Sequence, residues 1–582
     1  MQRGARLATE RAVSASGQTA LARVHLGVLQ PRPQLSADSV QVVFHGELFN
    51  RTELRSRVGA PTDATDVAIV RALYAQSGDG CASALKGSFC LAVVDEARRR
   101  LVLATDRLAS YPLYWHHASG VLLFGSEVRA LVKGQAHAAI DPLALNDLLQ
   151  FGFPTGTRTL ASQVQLLPGG STLVFHGDTD TVRVTRYHAW GGVFNLNTAS
   201  KARYLDAVTA AFETSMSRAI AGEHRYGLSL SGGLDTRVML AVLDRQRVPL
   251  QTFTLGGRGC ADEVIGNQLA KMAGTRHQFM PLEEGYLSDL RSKAAQMTSL
   301  SDGMYTSDGF TELLALQSFA ATDVNMLLRG HLGELAKAGT AYPFHTDARI
   351  QVMTTKDELL EYLFARQESL NVGSRAQGLF TPQWASAEGR GVALEALRHA
   401  ADADLAPADL CSYLYLTEYH RRVTVPSLEI FREVAEVRLP LADEDFVEAV
   451  VGGQRDWRNG VEIHQTLVRR INPKFLKVRN PNTGAPAGAG PLEEFVRDKI
   501  NSVLRRLNVY GYRHYHSFDG WMRQAFVNIL DEVLLTPQSL GRGVCEPDVL
   551  RQMVAAAKQG DKTPDHVLQV LVVAELWQIE NL

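Results

Sequence analysis

One stretch, Arg225 to Leu240, constrains what this chain can fold into more than any other. It reads Arg-Tyr-Gly-Leu-Ser-Leu-Ser-Gly-Gly-Leu-Asp-Thr-Arg-Val-Met-Leu. A short apolar run with Leu228 and Leu230 meets a Ser-Gly-Gly turn, and an apolar helical pattern follows at Val238, Met239, Val242 and Leu243. That order predicts strand, tight loop, helix. Gly232 and Gly233 carry no Cβ, so backbone N–H groups can close on an anion. The helix N-terminus adds unpaired donors and a positive dipole end, and Ser231 and Thr236 add hydroxyls. Asp235 is an anion placed in a phosphate-binding loop. Alone it would repel phosphate, so it implies a bridging Mg²⁺. The Gly-Lys-Ser/Thr ending of the kinase-type phosphate loop is absent, and with it the lysine that reaches β/γ-phosphates.

The loop sits in a chain of 582 residues, too long for one core, so two or more domains are expected. A net charge of −2 gives no electrostatic case for nucleic acid. Arg3, Arg6 and Arg11 near the start flank no apolar core, which argues against a secretory signal, and no apolar run is long enough to span a bilayer. The cysteines Cys81, Cys90, Cys260, Cys411 and Cys545 form no Cys-x-x-Cys pair, which argues against structural zinc or a disulfide framework. A cytoplasmic protein without membrane or nucleic-acid partners is the expectation.

Up to about residue 190, strand-like runs dominate: Ala20–Leu29, Val40–Phe44, Phe89–Val94, Leu101–Thr105, Val121–Phe124 and Ser171–Phe175. Helical patterns at Asp66–Gln76 and Pro142–Leu149 complete an α+β layout with much antiparallel sheet. From about 195, strands alternate with helices. Arg225–Leu230, Leu250–Leu255, His277–Pro281 and Val324–Leu328 predict a doubly wound parallel sheet, with a helix at Asp262–Ala273. Ligands of such sheets sit at the carboxyl ends of strands, where Ser231–Thr236, Thr254–Gly257 and Arg329–Glu334 converge. Beyond Lys356 helical periodicity takes over, at Leu359–Arg366, Ala393–Ala403, Leu410–Arg421, Val461–Ile471, Leu492–Leu507 and Ala525–Leu535. Arg505-Arg506 and Arg513-His514-Tyr515-His516 mix basic and aromatic residues, and read as a solvated face of the helical tail.

The Ser-Gly-Gly-x-Asp-Ser/Thr loop resembles that of ATP pyrophosphatases, which release pyrophosphate and leave AMP on the substrate. Further motifs make the resemblance one to the asparagine synthetase family. His45-Gly46-Glu47-Leu48-Phe49-Asn50 resembles the Asn-Gly-Glu-Ile-Tyr-Asn segment of its glutamine amidotransferase domain. Asp106-Arg107-Leu108-Ala109-Ser110-Tyr111-Pro112-Leu113-Tyr114, Phe124–Leu131 and Leu167-Pro168-Gly169-Gly170 resemble three further segments of that domain. Thr252–Gly256 resembles the strand whose backbone reads adenine, and Val434–Asp443 resembles Gly-Leu-Glu-Val-Arg-x-Pro-Phe-Leu-Asp, a structural turn. The resemblance implies a glutaminase-like domain of the N-terminal-nucleophile type over 1–190. An ATP-pyrophosphatase domain of the adenine-nucleotide α-hydrolase type, with a helical C-terminal part, would cover 195–582.

Departures from the family pattern are equally informative. The family's nucleophilic N-terminal cysteine has no counterpart, since position 2 is Gln2. No first strand is evident, so either the start lies upstream or the domain has lost that strand. The family's oxyanion asparagine is His45, and the aspartate that holds the glutamine amine falls on Ala64, flanked by Asp63 and Asp66. A scaffold without glutaminase activity is expected. In the second domain the resemblance implies nucleotide contacts from Leu230, Ser231, Gly232, Gly233, Leu234, Asp235, Thr236, Leu255, Arg329 and Gly330, with Leu230 and Leu255 sandwiching adenine. It implies Mg²⁺ on Asp235 and Glu334. His331 stands where the family touches the reacting carboxyl and acceptor amine; it reads as a proton acceptor or, equally, as a structural histidine. The lid lysine falls on Asn482; Arg479 is retained, and Lys477 would supply the cation if the loop is shifted. The Gly- and Pro-rich run to Pro491 reads as a mobile lid.

The reading that follows is an ATP-dependent ligase. It activates a small-molecule or peptide carboxylate as acyl-AMP, and an amine from a source other than glutamine displaces AMP. The alternatives are an intramolecular cyclase resembling β-lactam synthetases or lasso-peptide cyclases, and a non-catalytic nucleotide- or partner-binding homologue. A homodimer is one assembly the resemblance allows.

Overall fold

The computed structural model describes residues 7–14, 16–30, 35, 39–134, 138–196, 200–305, 307–372, 376, 378–382, 384, 388–514, 520 and 522–582. Gln2, Arg3, Arg6, Tyr515 and His516 lie outside these described residues.

The first domain begins with a hairpin of β1 (Ala8–Val13) and β2 (Ala20–His25), paired antiparallel from Ala8↔His25 to Val13↔Ala20. Only the second of these strands is expected from the sequence pattern. An antiparallel sheet follows, built from β3 (Val40–Leu48), β4 (Gly87–Asp95), β5 (Arg100–Thr105), β9 (Ser171–His176) and β10 (Thr181–Arg186) in the order β10-β9-β5-β4-β3. A small sheet of β6 (Tyr114–Ala118), β7 (Val121–Gly125) and β8 (Gln165–Leu166) completes the strands of this domain. Alternation sets the faces. Val42, Phe44 and Leu48 of β3 join Phe89, Leu91 and Val93 of β4 in a core closed by helix α1 (Asp66–Ser77) through Ile69, Val70 and Leu73. Ala92, Val94, Leu101 and Leu103 point the other way, onto Leu113 and Leu167. Gly46 has φ +114°, and a Cβ there would lie 2.0 Å from the Ser88 carbonyl oxygen, so β3 and β4 can pair here only around a glycine.

The second domain carries a five-stranded parallel sheet: β11 (Tyr226–Ser229), β12 (Leu250–Gly256), β13 (Arg276–Pro281), β14 (Met326–Leu328) and β15 (Glu436–Arg438), in the order β13-β12-β11-β14-β15. Leu228 pairs with Thr252 on one side and Leu328 on the other. The order reverses between β11 and β14, which is where such sheets open a crevice at their carboxyl ends. Helices α2 (Lys201–Ala219), α3 (Leu234–Arg245) and α4 (Ala261–Ala273) pack on the sheet. Every residue of α3 from Thr236 to Leu243 is buried, as expected of a helix enclosed on all sides. β15 is a strand at a segment where the sequence pattern leads one to expect a turn.

The remainder is helical. The expected helix over Leu410–Arg421 is an α-helix only over Pro407–Leu414, after which a π-helix spans Tyr415–Thr424. The expected helices near Val461 and Leu492 are α5 (Glu462–Ile471) and α6 (Pro491–Arg506). The two domains share apolar surface: Leu145, Leu148 and Leu149 of the first pack in one core with Leu568, Leu571 and Trp577 of the C-terminal helix. Among the described residues, no helix is long and apolar enough to cross a membrane.

Candidate active site at the carboxyl ends of the parallel strands

β11 ends in the glycine loop. Leu230 is buried, its N–H donates to the Phe253 carbonyl at 2.7 Å, and its own carbonyl accepts from the Thr254 hydroxyl. Gly232 turns with φ +76°, and a Cβ there would lie 2.6 Å from Ile265 Cγ2. Gly233 then caps α3, so the first-turn amides of Leu234, Asp235 and Thr236 are of the class a helix leaves without internal acceptors. Ser231 is exposed, while the Thr236 hydroxyl turns back onto the Gly233 carbonyl at 3.4 Å. Leu255, at the end of β12, is half-buried.

The loop is held from below by Arg237. Its fully buried guanidinium donates to the carbonyls of Gly232 (2.7 Å), Phe475 (3.1 Å), Val478 (2.7 Å) and Arg479 (2.9 Å). Burial pushes its pKa down to about 10, which leaves it charged at neutral pH. Asp262, at the start of α4, lies beside Gly232, and burial pushes its carboxyl up to about 7 against the pull of Arg505.

Asp235 points across the crevice to the segment after β14. A Cβ on Gly333 would lie 1.9 Å from Asp235 Oδ1, and one on Gly330 would lie 3.0 Å from Asp235 Cβ, so glycine lets the two segments close. Leu332 between them is buried with φ +69°, a backbone strain on the order of 1–3 kcal/mol for a non-glycine residue. Asp235 Oδ2 accepts from Lys337 Nζ at 2.6 Å, and Oδ1 meets His464 Nε2 of α5 at 2.8 Å. Burial opposes the charge on Asp235, but Lys337 and His464 outweigh it and hold the carboxyl well below its ordinary range. Burial and Asp235 raise Glu334, whose Oε2 accepts from the Tyr415 hydroxyl at 3.0 Å. Lys337 stays charged: burial opposes it, and Asp235 and Glu334 raise it.

His331 is shielded by its surroundings, and its Nδ1 has no hydrogen-bond partner among the described residues. Burial, aided by Arg329 and His420, pushes its pKa down to about 3. It is therefore neutral at pH 7 and can accept from a donor that enters; of the two roles open from sequence, proton acceptor or structural histidine, the lowered pKa weighs against a base that titrates near neutrality. His420 in the π-helix is fully buried, with neither ring nitrogen partnered among the described residues. Arg329 bridges rather than projects: it donates to Ser229 Oγ at 3.1 Å, lies 3.6 Å from Glu312 and covers the Phe431 ring at 4.7 Å.

The structure thus gathers Asp235, Glu334, Gly330, His331 and Arg329 around the crevice, together with Lys337, His464 and Tyr415. Those last three have no signal in the sequence beyond their residue types. Lys477 is exposed at the end of the turn Pro473–Lys477. Arg479 donates to the Gly511 carbonyl and lies 4.3 Å over the Tyr512 ring. Among the described residues, neither side chain contacts Asp235, Glu334 or His331. The run after Arg479 is a hydrogen-bonded turn: Asn480 N donates to Ala485 O at 2.7 Å, and Asn501 of α6 donates to Asn482 O at 2.9 Å.

A magnesium ion needs oxygen ligands and usually takes one or two carboxylates plus phosphate and water. Both oxygens of Asp235 already hold nitrogen donors. No group of three His, Cys, Asp or Glu side chains able to hold a metal occurs among the described residues. These residues do not fit a resident ion held by protein side chains.

In the first domain Glu47, His45 and Asp66, which flanks the position of the family's aspartate at Ala64, all have partners within the fold. Glu47 forms a two-pronged pair with Arg438 of β15 at 2.6 and 2.7 Å. Asp66 pairs with Arg51 at 2.6 and 2.7 Å and accepts from Gln30 at 2.8 Å. His45 stacks edge-on to Tyr111 at 4.5 Å, and burial, with Arg432, Arg23 and His25, pushes its pKa down to about 3. Burial raises all five thiols, to about 11 for Cys81 and Cys260 and about 12 for Cys90, Cys411 and Cys545. A cavity of about 180 Å³ lies at the domain seam, lined among others by Arg107, Trp190, Tyr413 and Arg421, and no residue of the glycine loop lines it.

Residues 5–188 match the glutamine amidotransferase domain model, and residues 207–579 match that of asparagine synthase. The chain is 27% identical over 231 residues to glutamine-hydrolyzing asparagine synthetase 3 of Bacillus subtilis, covering 38% of this chain and 37% of that protein. Asparagine synthetase 1 of the same organism is 27% identical over 257 residues, covering 43% and 40%. A putative asparagine synthetase of Mycobacterium bovis is 30% identical over 261 residues, covering 42% and 39%. The chain spans about two fifths of the length of these relatives. A family match running from 207 to 579 takes in more than half of the sequence, and it places this chain in the asparagine synthase family, behind a glutamine amidotransferase-like first domain.

Proposed function

We propose that the protein is an ATP-dependent amide-forming ligase that activates a carboxylate as acyl-AMP and passes the acyl group to an amine. One observation carries this reading: a two-glycine loop and a helix N-terminus open onto the β11/β14 crevice, opposite a segment bearing Lys337, Glu334 and His331. Anionic phosphates fit the loop amides and the helix dipole. Leu230 and Leu255 flank the adenine position. The substrate carboxylate attacks the α-phosphorus, and pyrophosphate leaves along the loop. The amine then attacks the acyl carbon, aimed by a hydrogen bond to the neutral His331; the bond from the acyl carbon to the AMP oxygen breaks, AMP leaves, and the proton lost by the amine passes to solvent. Mg²⁺ belongs to this reading as a companion of the incoming triphosphate rather than as a resident ion, because Asp235 already holds two nitrogen donors.

The first domain acts as a scaffold. Glu47 and Asp66 are held in ion pairs, and all five thiols are kept protonated by burial. The amine then comes from solution or from the substrate itself, which keeps an intramolecular cyclase as a variant of the same chemistry. A non-catalytic homologue is the second reading, motivated by Asn482 at the lid-lysine position and by the exposure of Lys477 away from the crevice. ATP–pyrophosphate exchange with a panel of carboxylates tests the proposal. Exchange with at least one acid is expected; ATP binding without exchange on any acid would favour the non-catalytic homologue. Glutamine hydrolysis by this chain would refute the scaffold role.

A further inference from the structure

The glycine loop presents a charge problem. Its amides and helix end attract phosphate, while Asp235, one residue into α3, repels it. The fold already contains an answer. Lys337 reaches Asp235 Oδ2 at 2.6 Å from the far side of the crevice, and His464 holds Oδ1 at 2.8 Å. Lys337 is largely shielded from solvent, with 17% of its side chain exposed. It sits on a segment whose backbone is kinked at that residue, with φ −147° and ψ 56° inside an otherwise helical run. The other candidate cations are placed differently: Lys477 is exposed, Arg329 is engaged by Ser229 and Glu312, Arg479 is turned onto Gly511 and the Tyr512 ring with its Nη1 unpartnered among the described residues, and the lid-lysine position is Asn482.

We infer that Lys337 is the cation on which triphosphate binding depends, a tethered ammonium that neutralises Asp235 in the free protein and turns onto the phosphates when nucleotide enters. This rests on the ATP reading above and adds to it the source of positive charge. An ammonium carries three donors and rotates freely, so it can keep Asp235 while adding a phosphate oxygen. His464 stays behind to hold Asp235 in place. Unlike a metal, the cation is supplied by the chain, so part of the affinity for triphosphate survives without divalent ions.

The test is binding of α,β-methylene-ATP to the full chain by calorimetry, in excess Mg²⁺ and in EDTA, for wild type, Lys337→Met and Lys337→Arg. Wild type is expected to bind in EDTA. Lys337→Met should bind about 10- to 100-fold more weakly there, the size of one charge-assisted hydrogen bond. Lys337→Arg should restore most of the difference. Because Lys337→Met strands a buried carboxylate, the double variant Asp235→Asn/Lys337→Met serves as the fold control. Its melting temperature should return toward wild type while binding in EDTA stays weak, which a purely structural lysine would not produce. Equal affinity of wild type and Lys337→Met in EDTA would overturn the inference, as would wild-type binding that requires Mg²⁺ altogether. Absence of binding in Mg²⁺ as well would overturn the ATP reading itself, and this inference with it.

Discussion

Arg237→Met is the perturbation whose outcome the structure fixes most tightly. The guanidinium is fully buried, has no carboxylate partner among the described residues, and donates to four carbonyls, one in the glycine loop and three in the segment 475–479. Burial lowers its pKa from 12.5 to about 10, which corresponds to a cost of about 3 kcal/mol for keeping it charged. Against this stand four hydrogen bonds from a charged donor, at roughly 1.5–3 kcal/mol each. Methionine removes the cost and fills part of the volume, but takes a donor from four carbonyls, of which Val478 O keeps the Ala487 N–H at 3.0 Å. The net loss is about 3 kcal/mol at the low end, because some of those carbonyls will find water. Global unfolding of a two-domain chain is a poor readout of a local change. Hydrogen exchange is a good one: peptides covering 229–236 and 475–488 should exchange about 100-fold faster in the variant, the equivalent of about 3 kcal/mol. Arg237→Lys, with fewer donors and no fork, should fall between. If both peptides exchange as in wild type, this side chain does not tie the phosphate loop to the downstream segment.

Asp235→Ala should abolish ATP–pyrophosphate exchange while leaving the circular dichroism spectrum intact; exchange at the wild-type rate would remove Asp235 from the site. Burial raises Glu444 from 4.5 to about 8 despite Arg107 at 3.0 Å. A carboxyl raised in the folded state lends stability that is complete below its unfolded pKa and is lost as pH rises through the folded one. Wild type should therefore lose stability between about pH 4.5 and pH 8 through this group. Glu444→Gln should flatten that loss, so melting curves at about pH 6 and pH 9 should lie closer together for the variant; an unchanged spacing would count against it. Glu47→Gln removes the charge facing Arg438 and should weaken the two-domain contact by about 3–5 kcal/mol, the cost of stranding one member of a buried pair. Limited proteolysis at the 190–200 connection should then quicken, and cleavage at the wild-type rate would contradict it.

What can be read from sequence is what local chemistry dictates. Gly232 announces itself because a turn at φ +76° favours glycine and a Cβ there would lie 2.6 Å from Ile265. The alternation of Val42, Phe44 and Leu48 gives away one sheet face, and the apolar run of α3 gives away a buried helix. The features that escape a sequence depend on partners far away in the chain. Arg237 looks like a surface arginine on a helical pattern, and three of its acceptors lie more than two hundred residues downstream. Lys337 is one lysine among many until Asp235, 102 residues earlier, is brought to 2.6 Å. The π-helix at Tyr415–Thr424 has the same apolar spacing as an α-helix over so short a span, so periodicity cannot distinguish them. β15 is three residues long, too short for a period-two pattern.

The two domains meet through side chains whose engagement reaches the nucleotide loop. Glu47, on the strand where the family's amidotransferase motif lies, grips Arg438 with both oxygens. Arg438 ends β15, and its carbonyl accepts from Arg329 N at 3.1 Å, at the exit of β14. The Arg329 guanidinium in turn donates to Ser229 Oγ, at the end of β11 just before the glycine loop. Four residues thus join a first-domain strand to the mouth of the crevice through two side-chain links and one backbone bond. Both oxygens of Glu47 are turned to the guanidinium. The same carboxylate fixes the edge strand against which the site is built. This physical link is distinct from energetic coupling, which requires two states that both ends bias. It gives the first domain a structural reason to stay attached. It braces the last two strands of the parallel sheet, and Arg329 carries that brace to the loop that must hold its amides on phosphate.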